Sequence, residues 1–358
     1  MEQVKDFFKR KNIEISAKRY GVDALGAMAQ GLFCSLLIGT IIKTLGQQIG
    51  VQFLVDIGTY AAAMSGPAMA VAIGYALKAD PMVMYSLAAV GWAANAEGGA
   101  GGPMAVLVIA IVAAEFGKMV SKETKVDILV TPATTILVGI ALAKLIAPPI
   151  GTAASAFGIL IDEATKLQPF WMGIAVSVLV GIALTLPISS AAICSVLGLT
   201  GLAGGAAVAG CCANMVGFAV LSFRENRWGG LVSQGIGTSM LQMPNIVRNP
   251  KIWLPAILTS AITGPLATCL FGLEMNGAPV SSGMGTCGLV GQIGVITGWV
   301  APSEEAIARG ASIITPGMMD WVGLILISFV FPAVLCWGFG YIFRKIGWIR
   351  EGDLTLDR

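Results

Sequence analysis

Apolar runs close to 20 residues long recur through the chain, at 22–45, 53–77, 104–120, 128–147, 170–190, 199–223, 252–272 and 319–343. As a helix, each is long enough to cross a hydrocarbon core about 30 Å thick. In lipid every backbone N–H and C=O must be paired inside the protein, which leaves helices and closed barrels as the only spanning structures. A barrel reads as segments of about ten residues with alternating polarity, and none occur here. Charged residues make up 12% of the 358, half of the roughly 25% usual in soluble domains. The sequence therefore predicts an all-α polytopic membrane protein. Shorter or glycine-rich apolar stretches lie at 82–94, 189–197, 229–243 and 279–299. With these, the expectation is about 8–10 transmembrane helices plus re-entrant hairpins.

The charges set an expected topology. Residues 1–20 form a basic, amphipathic segment, with Lys5, Lys9, Arg10, Lys11, Lys18 and Arg19 against Glu2, Asp6 and Glu14. The segment has no signal-peptide cleavage pattern, and a cationic flank before a first span stays cytoplasmic. It is too short, and too close to a span, to serve as a nucleic-acid arm. Arg344, Lys345 and Arg350 follow the last span, and 346–358 reads as a cytoplasmic tail. Both termini inside requires an even number of crossings. Lys78, the trio Lys118, Lys122 and Lys125, the pair Arg224 and Arg227, and the pair Arg248 and Lys251 read as further cytoplasmic turns. Counting every run as a full span places some of these outside, so the short segments are expected to enter and leave on one side. The membrane domain then covers 21–345. Its halves, about 21–150 and 168–345, are joined by a surface connector at 151–167 carrying Asp162, Glu163 and Lys166.

The halves share a loose pattern, read as an inverted repeat. In the first, KADP (78–81) precedes an apolar segment and then NAEGGAGGP (95–103). In the second, RNPK (248–251) precedes an apolar segment and then EMNGAPVSSGMGTCG (274–288). Paired segments interrupted by Gly and Pro point to a transporter binding site. Ionisable groups at membrane depth cost a few kcal/mol, so Glu97 and Glu274 need a reason to be there. Each adjoins an amide, Asn95 or Asn276, and a glycine-rich turn: Gly98, Gly99 and Gly101, or Gly283 and Gly285. A carboxylate beside such a turn accepts hydrogen bonds from vicinal hydroxyls and equally suits a cation; the competing reading is an ordinary aqueous loop. Ser189 and Ser190, Asn214, Gln234, Gln242 and Asn245 are further candidates for substrate contact. For these, helix–helix packing through polar groups is the alternative.

Other chemistry is excluded or absorbed by structure. There are no histidines, which removes the commonest metal ligand and His-based acid–base catalysis. The seven cysteines have no metal-ligand spacing and read as small buried hydrophobes. FRENRW (223–228) reads as a salt-bridged turn, with docking of a soluble partner as the sharper alternative. Asp320 is placed to cap the last helix. No catalytic residues, metal or cofactor are expected.

The long stretches 184–253, 278–294 (APVSSGMGTCGLVGQIG) and 117–139 (GKMVSKETKVDILVTPATTILVG) resemble the membrane-embedded EIIC-type proteins of the bacterial phosphotransferase system. The branch is the one that includes perfringolysin-regulator-like proteins. The resemblance runs from about residue 15 to 345. It implies a sugar-translocating permease in the bacterial cytoplasmic (inner) membrane, commonly a homodimer with an elevator-like transport domain. It also implies that phosphorylation, where it happens, falls to separate EIIB and EIIA proteins. The chain departs from better-studied branches in having no histidine, so a site built on an essential His does not transfer. Two other readings stay open: an ion-coupled secondary transporter driven by Na+ or H+, and a membrane sensor that regulates gene expression.

Overall fold

Glycine–glycine contacts set how closely the helices approach. In the computed structural model, which describes residues 2–356, the chain divides into two units, Met1–Ala154 and Ser155–Arg358. Among the described residues there is no β-strand, only an isolated bridge between Gly201 and Met275.

Unit 1 begins with α1 (Glu2–Arg10) and α2 (Arg19–Ile49), the latter carrying two π-helical turns. Helices α3 (Gln52–Ala63) and α4 (Ser65–Ala76) form a broken span bent by 48°. Gly39 of α2 sits against Gly58 of α3, and Gly66 of α4 sits against Gly91 of α5 (Pro81–Gly98). At both places a Cβ would clash with facing backbone, so no larger residue permits these approaches. Small residues at contact positions are how helices associate where lipid removes the hydrophobic driving force.

The 40-residue apolar stretch 81–120 is not one rod. Gly99, at φ 50 and ψ −122, takes a backbone that β-carbon residues avoid, and ends α5. After a single turn α6 (Gly102–Val120) runs back, so that a Cβ on Gly117 would meet Val83 at 2.7 Å. The two arms have 18 and 19 residues, about 27 Å each. Helix α7 (Asp127–Thr165) runs for 39 residues with Pro132, Pro148 and Pro149 inside it, and lies against this hairpin at Gly139–Val90 and Gly101–Ile150. The stretch 151–167, expected as a surface connector with an amphipathic helix, is helical to Thr165 as the continuation of α7, with a turn after it.

Unit 2 is built round α10 (Gly201–Leu221), an Ala- and Gly-rich helix buried over most of its length. Packed on it are α8 (Pro169–Thr185), α13 (Pro250–Leu270) and α16 (Met318–Lys345). Short elements complete the unit: α9 (Ser190–Val196), α11 (Phe223–Val232), α12 (Met243–Arg248), α14 (Val290–Val300) and α15 (Glu304–Ala308). Residues 271–289 are irregular or 3-10 helical, and 233–242 form π and 3-10 turns. The Gly317 N–H donates to Asp320 Oδ2 at 2.8 Å, so Asp320 caps α16 as expected.

Among the described residues, six helical stretches are long and apolar enough to cross a membrane, seven if the bent pair α3–α4 counts as one span. The tally falls below the expectation because α5 and α6 are counted together and α8 has 17 residues. Leu137, Leu145, Trp171 and Met318 are exposed, as lipid-facing side chains are. The cysteines are all free, but Cys34 and Cys269 are exposed rather than buried, which corrects the expectation that all seven lie inside.

Candidate functional site

Each unit carries one of the two glycine-rich acidic segments. In unit 1, Glu97 stands at the tip of the α5–α6 hairpin and its carboxylate is paired with Lys144 of α7. Asn95, two residues earlier, faces the start of α6, where its Oδ1 lies so near Gly102 that no β-carbon fits. Gly98, Gly99 and Gly101 make the tip, and Gly98 and Gly151 meet backbone to backbone.

In unit 2, the bridge between Gly201 and Met275, with both N–H···O bonds at 3.0 Å, pins the irregular segment to the start of α10. Glu274 and Asn276 flank that bridge. Asn276 Nδ2 donates to Glu274 Oε2 at 2.8 Å. Asn276 is 0% exposed, yet its Oδ1 has no hydrogen-bond partner. A buried acceptor left unpaired costs about 1–3 kcal/mol. The backbone here is crowded by α14, since a Cβ on Gly298 would meet the Asn276 carbonyl carbon at 2.5 Å. Beside it, Ser190 Oγ donates to the Gly283 carbonyl at 2.7 Å, Ser282 Oγ donates to Leu199 O at 2.6 Å, and Ser189 caps α9 by accepting from Ala192 N at 3.2 Å. Gly285, at φ 53, packs on Cys211. Ser190 and Gly283 thus join two short segments, while Ser189 caps α9 and Gly285 lies on α10.

The other sequence candidates fall in two separate networks. Asn214 is saturated: its amide donates to Gly210 O (3.1 Å) and Ser260 Oγ (3.2 Å), and its Oδ1 accepts from Thr185 Oγ1 (3.2 Å) and Trp253 Nε1 (3.0 Å). It ties α8, α10 and α13 together. Gln234, Gln242 and Asn245 form a chain, with Gln242 Nε2 donating to Gln234 Oε1 at 2.9 Å and Asn245 Nδ2 to Gln242 Oε1 at 2.8 Å. The chain also holds the C-terminal segment: Gln242 Nε2 donates to Leu354 O at 3.0 Å and Asn245 Nδ2 to Thr355 O at 2.9 Å. Asn226 clasps the same segment, donating to Leu354 O at 2.7 Å and accepting from Leu356 N at 2.9 Å. Leu354 is fully buried as a result.

Sequence reasoning passes over Gln292 and Ser328. Both are buried, and Gln292 Oε1 and Ser328 Oγ lack partners, while Gln292 Nε2 donates to Cys212 Sγ at 3.2 Å. Cys212 shares a buried cluster with Leu273, Met275 and Val295, so these polar atoms lie in the same part of unit 2 as the Glu274 segment. A polar residue isolated in the apolar run GLVGQIGVITG was the available signal for Gln292. Among the described residues no group of His, Cys, Asp and Glu could hold a metal ion.

The basic turns of unit 1 converge. Lys11 pairs with Glu123 at 2.5 Å, Lys118 Nζ donates to Asn12 O at 2.8 Å and Leu77 O at 3.1 Å, and Arg19 donates to Leu77 O at 2.6 Å. Asp80 accepts from Ser121 Oγ at 2.9 Å and pairs with Lys122 at 2.5 Å. Burial pushes the Asp80 carboxyl up, but the hydrogen bonds from Lys122 and Ser121 outweigh it and hold it below its ordinary value. The N-terminal segment is thereby stapled to the α4–α5 and α6–α7 turns. In FRENRW, Glu225 pairs with Arg344 at 2.8 Å.

Spans, hairpin and polar irregular backbone together define a multi-pass transporter-like membrane protein. The family model described as "Phosphotransferase system, EIIC" matches residues 22–356, and the chain belongs to that family. The family is one of inner-membrane permeases that act on sugars with EIIB and EIIA partners. No curated protein and no solved structure matches the chain.

Proposed function

We propose that the chain is the membrane permease subunit for a sugar or sugar-like polar solute, served by separate EIIB and EIIA proteins. The observation that carries this reading is the buried, unpartnered Oδ1 of Asn276 beside the Glu274 carboxylate. Vicinal hydroxyls are donors, so a polyol satisfies both acceptors at once, whereas an anion satisfies neither. Glu97 and Asn95, at the hairpin tip of unit 1, are that unit's own candidate contacts in this reading. Asn214, Gln234, Gln242 and Asn245 act as framework, Ser189, Ser190, Gly283 and Gly285 as the braces of the segment. Alternating access is an elevator-like displacement of a transport domain against a scaffold in a homodimer, with inverted repeats and both termini cytoplasmic. Clustering of Lys and Arg at the turns supports that orientation.

A thermal-shift screen of the purified protein against sugars, sugar acids and ions finds the ligand, because a compound that binds the native state raises stability by mass action. With that ligand, calorimetry on Glu274→Gln and Glu97→Gln is expected to show affinity weakened about ten-fold or more, as for hydrogen bonds to a charged group. Unchanged affinity in both variants overturns the site. Uptake into proteoliposomes that depends on added EIIB and EIIA supports the phosphotransferase coupling; uptake driven by a Na+ or H+ gradient alone replaces it with the ion-coupled mechanism.

A further inference from the structure

The cytoplasm-type charges of unit 2 lie beside an apolar groove that the proposed transport does not use. The groove runs between the ends of α10 and α16, has a volume of about 470 Å³, and is lined by Leu221, Phe223, Leu231, Trp337, Gly340 and Tyr341. At one end it reaches Arg224, Arg344 and Lys345. Arg224 and Arg344 also line an adjoining basin of about 570 Å³, together with Glu225, Arg350 and Glu351. Four cations therefore face two carboxylates across the two spaces. Arg344 is committed to Glu225 and to Leu221 O. Arg224 and Lys345 are exposed and, among the described residues, make no ion pair or hydrogen bond. Glu225 keeps a buried Oε2 with no donor.

We infer that this composite groove binds an anionic phospholipid with a hydroxyl-bearing headgroup, its acyl chain along α16 and its phosphate between Arg224 and Lys345. The apolar arm matches a hydrocarbon chain and the basic basin matches a phosphate. The unpaired Glu225 oxygen calls for a donor that a glycerol headgroup has and a dianionic phosphate monoester lacks. The depth agrees as well. Trp337 and Tyr341 stack at 6.2 Å and are exposed, and Trp228 meets Phe223 edge-on at 5.4 Å. Such rings collect at the headgroup level of a bilayer. Basic pockets between helices at that level are a recognised way of holding anionic headgroups.

The test is native mass spectrometry of the full chain in detergent, titrated with phosphatidylglycerol, phosphatidic acid and phosphatidylcholine, with inorganic phosphate as competitor. Retention in the order phosphatidylglycerol, phosphatidic acid, phosphatidylcholine is expected. Each cation near a surface phosphate is worth about five-fold in binding, so Arg224→Gln with Lys345→Gln should weaken phosphatidylglycerol about thirty-fold. Arg224→Lys with Lys345→Arg should keep most of the affinity, and a monodisperse gel-filtration peak shows that each variant is folded. Equal retention of phosphatidylcholine, or an unchanged double Gln variant, overturns the site. Full displacement by inorganic phosphate overturns the lipid and leaves an anion site. Equal binding of phosphatidic acid overturns the Glu225 contact.

Discussion

Asn214 shows how much one buried amide can hold. All four of its hydrogen-bonding positions are filled from three helices. Asn214→Ala takes the acceptor from Trp253 Nε1, at about 1–3 kcal/mol for a group left unsatisfied, and removes one partner each from Thr185 and Ser260, which keep others. A thermal melt in detergent should move down by several degrees, while ligand affinity measured well below the melt stays unchanged. A fall in affinity without a fall in stability would instead put Asn214 in the substrate site. The sequence marks Asn214 as a polar residue that needs a partner but not which one, since Thr185 and Ser260 lie 29 and 46 positions away. Asn276 is the opposite case. The glycines and the neighbouring acid flag it in the sequence, and only the packing reveals that its oxygen is unpaired.

At the level of elements, NAEGGAGGP proved readable because its glycines do local work. Gly99 breaks the helix, small residues at 98 and 102 let the arms close, and Gly101 lets α7 approach. The π and 3-10 turns of 233–242 and the length of α7 were not readable. The first carries polar groups whose partners lie in the last residues, and the second keeps prolines inside a helix where sequence rules end one. The clasp of turns in unit 1 makes a pH prediction. Asp80 is held below its ordinary value of 3.8, so its contribution to stability is complete above that value and is lost as pH falls through it and lower. Melts recorded from about pH 6 to about pH 3 should show a destabilising acid limb that shrinks in Asp80→Asn. An identical limb in the variant would assign the effect to other carboxylates. Lys122, raised by its bond to Asp80, stays charged throughout this range and adds no slope of its own.

For the molecule as a whole, the apolar runs already dictate a helical membrane protein, and the family resemblance drawn from long stretches agrees with the family match over 22–356. What the runs do not reveal is how a segment near the end of the chain completes unit 2. Truncation after Arg350 removes the acceptors of Asn226, Gln242 and Asn245. Limited proteolysis should then cut within 233–248, where the full chain resists, and the melt should fall. Equal resistance would show that the amide chain stands without the tail.

That clasp also has a history in time. Asn245 and Thr355 are separated by 110 positions, and Asn226 and Leu354 by 128. At a synthesis rate of about 5–20 residues per second, Asn245 waits on the order of 5–20 s for its partner to be made. During that interval the polar ladder of unit 2 has its own amides and the bonds of Gln234 to Ser222 and Gly230, but not the acceptors of the last residues. The unit therefore closes after the ribosome has passed residue 355, so insertion of its helices and completion of its interior are separate events.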